Sequence, residues 1–84
     1  MYLHLGKKTV VNTKNIIAIF DLETTSMSRH TKAFLKIVEE EGFIRNVATD
    51  KEIPKSFIVC EIDGQSVVYM TNISTRALVG RVCR

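Results

Sequence analysis

Ser56-Phe57-Ile58-Val59-Cys60-Glu61-Ile62-Asp63-Gly64-Gln65-Ser66-Val67-Val68-Tyr69-Met70 is the stretch that decides the fold of this chain. Asp63-Gly64 joins two apolar runs and fits a two-residue type I′ hairpin turn, in which both central residues need φ > 0. Such a turn sets the register. Ile62 then opposes Gln65, Cys60 opposes Val67, and Ile58 opposes Tyr69. On the other face Glu61 opposes Ser66, Val59 opposes Val68, and Phe57 opposes Met70. Near the turn one face is polar. Away from it both faces are apolar, so a sheet built on this hairpin needs a cover on each side.

A third strand of the same character is Asn15-Ile16-Ile17-Ala18-Ile19-Phe20. Tyr2–Leu5 and Thr9–Val11 read as two weaker strands joined at Gly6-Lys7-Lys8, and Asn12–Asn15 is a polar break. The 3.6-residue spacing predicts a helix from Ser28 to Glu41. Ser26 or Ser28 caps it, Phe34 and Val38 lie on its apolar face, and Gly42 ends it. Phe43–Val47 reads as a short strand. Residues 48–55 are a loop, because Pro54 does not fit a central strand. Ser74–Val82 reads as a short helix capped by Asn72 or Ser74. The expected class is α+β, a small and mostly antiparallel sheet with one main amphipathic helix and a short C-terminal helix.

One long helix is little cover for strands that are apolar on both sides. An uncovered sheet face would expose several hundred Å² of apolar surface, on the order of the most that a monomer carries. The expectation is that a second copy of the chain covers it, with the contact at Phe57, Ile58, Tyr69 and Met70. The alternative is cover within the chain by the N-terminal strands and the C-terminal helix.

Eighty-four residues form one domain, 1–84, with a thin core. The longest apolar run, Ile16 to Phe20, is far short of the ~20 residues of a membrane span. No signal-peptide pattern opens the chain. A cytoplasmic location is expected, without membrane contact. Cys60 and Cys83 form no C-x-x-C pair and no disulfide framework. With His4 and His30 they give no zinc spacing, so no metal is expected. Four glycines build no phosphate-binding motif, and no nucleophile–base set stands out. No catalytic residue, cofactor or small-molecule substrate is expected, and the chain reads as a non-enzyme.

Net charge is only +3, but its distribution is uneven. Residues 1–20 carry Lys7, Lys8 and Lys14 and no acid. Residues 64–84 carry Arg76, Arg81 and Arg84 and no acid. All nine acids lie between positions 21 and 63. If the two ends of the chain lie together, they make a basic surface that attracts polyanions. Lys14, Lys51 and Lys55 lie in loops from which long cations can reach phosphates, and Arg76 and Arg81 on the C-terminal helix add to them. The main helix carries Arg29, His30 and Lys32 at its start and Glu39, Glu40 and Glu41 at its end. This layout opposes the helix dipole at both ends.

The order of elements, with Met1-Tyr2-Leu3-His4-Leu5-Gly6, Val10–Phe20, a helix ending at Gly42, and Pro54-Lys55-Ser56 leading into the hairpin, resembles the RemA/RemB family of bacterial extracellular-matrix (biofilm) regulators. The likeness is closer to RemB. It implies a DNA-binding transcription regulator that forms ring-like homo-oligomers and has no standard DNA-binding motif. A looser similarity to LytTR domains, which read DNA from loops at a sheet edge, implies the same. Two departures stand out. Asn15 holds the position where RemA-type members carry arginine, and Lys51-Glu52-Ile53-Pro54-Lys55 replaces their paired arginines. Lysine lacks the planar fork of arginine. The expectation is an oligomeric regulator that holds double-stranded DNA mainly by its phosphates. The alternative is a homo-oligomeric interaction or scaffold module that does not bind DNA.

Overall fold

The computed structural model describes residues 1–6, 8–22, 28–47 and 53–82. β1 (Tyr2–Gly6) and β2 (Thr9–Asn12) form an antiparallel hairpin. A 3-10 turn over Thr13–Asn15 follows, where the Asn12 side chain accepts the Lys14 N–H at 3.0 Å. Next come β3 (Ile16–Asp21), α1 (Arg29–Glu40), β4 (Ile44–Asn46), β5 (Ser56–Ile62), β6 (Gln65–Thr71) and α2 (Thr75–Val82). The main sheet has the order β3-β5-β6-β4, and only β4 runs parallel to its neighbour. The fold is α+β.

The central hairpin has the register expected from its turn, from Ile62↔Gln65 through Phe57↔Met70. Asp63 has φ 51° and Gly64 φ 80°, as a type I′ turn requires. Replacing Gly64 by alanine puts a Cβ on left-handed backbone and is expected to cost roughly 1–2 kcal/mol. Chemical denaturation should show a lower midpoint with an unchanged slope.

Both faces of the main sheet are covered within the chain. On one side Phe57, Val59 and Val68 pack with Leu35 and Val38 of α1. On the other, Ile58 and Cys60 pack with Leu3, Leu5, Val11, Val47 and Leu78, drawn largely from the β1–β2 hairpin and α2. The expectation of a bare face is thereby corrected. Phe57 and Ile58 are each 0 % exposed and offer no surface to another subunit. Tyr69 and Met70 are half-buried and pack against the two cores. Taken singly, a short hairpin and an eight-residue helix look too slight to cover a sheet face. Together they make one layer.

Local signals account for the helix ends. Ser28 caps α1, its hydroxyl accepting the Thr31 N–H at 3.1 Å. Ser74 caps α2, accepting from Ala77 N–H at 3.2 Å. At the end of α1 the structure supplies the missing cation. Arg45 of β4 donates to the Gly42 carbonyl at 2.7 Å and lies over the Phe43 ring. A guanidinium at a helix C-terminus bonds the last carbonyls and complements the dipole. One cation thus lies just beyond the acidic end of α1, on the next strand.

Candidate nucleic-acid interface

Two fully buried polar side chains, Ser56 and Thr71, tie the elements together at one end of the sheet. Thr71 Oγ1 donates to the Leu5 carbonyl of β1 at 2.8 Å and accepts the Ile73 N–H at 3.2 Å. The Thr71 carbonyl accepts the Lys55 N–H at 2.8 Å. The Ser56 and Thr75 hydroxyls share a hydrogen bond of 2.8 Å, which fixes the start of α2. Among the described residues no buried side-chain nitrogen or oxygen lacks a partner. A buried network satisfied in this way holds its members in one arrangement.

The junction sets the N-terminal hairpin and α2 side by side on one face of the main sheet. Arg81 Nη1 of α2 donates to the His4 carbonyl of β1 at 3.1 Å. Leu3, Leu5 and Val11 point inward to the core, and Tyr2, His4 and Val10 alternate outward and are exposed. The layer draws on stretches of sequence without a single Asp or Glu. Its exposed cations include Lys8 in the β1–β2 turn, Lys14 in the 3-10 turn, and Arg76 and Arg81 on α2. Glu39, Glu40 and Glu41 lie at the end of α1, the helix that covers the opposite face of the sheet. The molecule therefore has one acid-free layer and one acid-bearing layer.

The residues named from sequence do not all converge. Arg76 and Lys55 share the end built on Ser56 and Thr71. Lys14 stands at the other end. It leads into β3, whose first residue Ile16 pairs with Cys60, while Ser56 pairs with Asp21. Four strand steps from Ser56 to Cys60 span roughly 13 Å. Arg81 lies in the last turn of α2 and is held to the His4 carbonyl. Lys51 lies outside the described residues. Lys8 and His4 were not among the residues named for DNA, although the uneven charge distribution already marked Lys8. What sequence could not supply is the packing of the first hairpin beside the last helix.

Among the described residues no three His, Cys, Asp or Glu side chains gather to hold a metal ion, and no helix is long and apolar enough to cross a membrane. Burial pushes the Cys60 thiol above its ordinary value of 9.0, so the nucleophilic thiolate is disfavoured. Cys60 should resist thiol reagents in the native state and react only on unfolding. The raised value makes its contribution to stability full below pH 9.0, and that contribution is lost as pH rises further. A pH titration of the denaturation midpoint reads this loss, which Cys60→Ala should abolish.

No protein-family model matches the chain, and no curated protein matches it in sequence.

Proposed function

We propose that the chain is a homo-oligomeric DNA-binding regulator that holds duplex DNA through the phosphates. The single observation that carries this reading is the acid-free layer of the N-terminal hairpin and α2, with Lys8, Lys14, Arg76 and Arg81 exposed on it. Phosphate contacts position a protein on DNA without reading sequence. Tyr2 is exposed on β1 of the same layer. Lys55 borders the layer through the Thr71 junction. The similarity to the RemA/RemB regulators supports the same function, and repeated copies turn weak phosphate contacts into avidity.

Retention of a long duplex at low salt, measured over a salt series, tests the reading. The expected result is a linear fall of log K with log salt, its slope proportional to the phosphates neutralised. A chain that assembles but retains no duplex at low salt is instead an interaction module.

A further inference from the structure

The open side of β3 has properties that the layers do not explain. β3 ends the order of the main sheet, and among the described residues only β5 pairs with it. The Leu22 N–H bonds the Lys55 carbonyl at 2.9 Å. By the alternation of an antiparallel ladder, Phe20 and Ala18 also turn their backbone groups toward β5, and Ile19 turns its own outward. From Ile16 to Phe20 the strand holds no charge and no proline. These are common devices that keep an edge from pairing. The devices present on β3 are a bulge between Ile16 and Ala18 and one charge, Asp21, at the strand's last position.

On the α1 side the cover thins toward this edge, and its apolar side chains are in part exposed. Ile17 is 60 % exposed and Phe20 39 %. With Ala18, His30, Thr31, Phe34, Phe57 and Val59 they line an open groove of about 280 Å³. Phe57 forms part of its lining while the Phe20 ring, 4.7 Å away, stacks on it.

We infer that β3 is the contact between two copies of the chain, paired antiparallel about a two-fold axis at Ile19. Outward backbone donors and acceptors call for an extended strand, which a helix or an apolar small molecule does not supply. A second copy is the strand that fits by its own sequence. Centring the pair on Ile19 sets Ala18 opposite the partner subunit's Phe20, a small residue against a large one. Ala18 and Phe20 face the groove, because they pair with Val59 and Phe57 of its lining. The partner's ring therefore meets the groove beside Ala18. A cavity of about 150 Å³ already holds benzene, so the space suffices for a phenyl ring. The two-fold axis gives each copy the same contact, as an isologous dimer requires. α2 lies against β3 on the opposite side, so the pairing sets the two α2 helices on either side of the axis. The acid-free layers then adjoin and present Arg76 and Arg81 twice.

The inference deepens the assembly part of the proposed function, and its test contains no DNA, so the two fail separately. Light scattering of the full chain over a concentration series should show the mass rising from one copy to two. Ile17→Glu, at an exposed position that this register sets opposite the partner subunit's Asp21, brings like charges together and should stay at one copy with an unchanged melting curve. Should that variant not fold, the wild-type chain still decides, because exchange of the Ile19 amide should slow as copies pair. A mass of one copy at every concentration overturns the inference. So does an Ile17→Glu variant that assembles like the wild type, or an Ile19 amide whose exchange ignores concentration.

Discussion

Phe57→Ala is expected to remove about 3–5 kcal/mol of folding stability, the range for truncating a fully buried aromatic. Phe57 is 0 % exposed, stacks on Phe20, and packs in the core beneath α1. At 0.05–0.15 kcal/mol per residue, 84 residues hold roughly 4–13 kcal/mol in all. The loss is a large share of that total, and it falls on the chain itself. Were Phe57 at a subunit interface, the same substitution would lower association and leave the folding of a dilute monomer unchanged. Denaturation at low protein concentration, followed by circular dichroism, separates the two. A midpoint that moves by less than about 1 kcal/mol would contradict cover within the chain.

The largest expected effect on binding comes from Lys8→Glu with Arg76→Glu. Both residues are exposed on the acid-free layer, at the end tied to Ser56 and Thr71. Each phosphate that is no longer neutralised should lower the magnitude of the salt slope by about 0.9, so the pair should lower it by about 1.8 per copy. Affinity for duplex DNA at low salt should fall steeply. The matched control is Lys32→Glu with Lys36→Glu, which changes net charge by the same amount on α1, across the sheet. A general response to net charge makes the two variants equal. A localised surface leaves the α1 variant close to the wild type.

Much of the backbone was legible because it rests on local chemistry. Asp63-Gly64 specified its turn and thereby every pair from β5 to β6. Ser28, Ser74 and Gly42 marked helix ends by the hydrogen bonds or dihedrals they permit. The long-range arrangement was not legible. Nothing in the spacing says that Thr71 reaches Leu5, 66 positions away, or that Arg81 reaches His4, 77 positions away. Those two hydrogen bonds place the first hairpin and the last helix in one layer. Without them the sheet face that carries Ile58 looked bare.

The basic surface was half legible for the same reason. The absence of Asp and Glu from both ends of the chain is plain in the sequence, but only packing makes one surface of the two ends. Choosing cations by loop position favoured Lys14 with Lys55, which the antiparallel run of β3 against β5 puts at opposite ends of the strands. Arg45 likewise gave no sign of its place at the end of α1. Its partner is a carbonyl three residues away, reached only after the chain turns at Gly42.

A basic, DNA-holding layer on one side of the sheet is best tested by mapping backbone amide shifts as a short DNA duplex is added at low salt. Shifts should concentrate at His4, Lys8, Arg76 and Arg81, spread to Lys55 and Thr71, and spare Glu39, Glu40 and Asp63. Shifts confined to α1 or to the Asp63-Gly64 turn, or none at all, would contradict it.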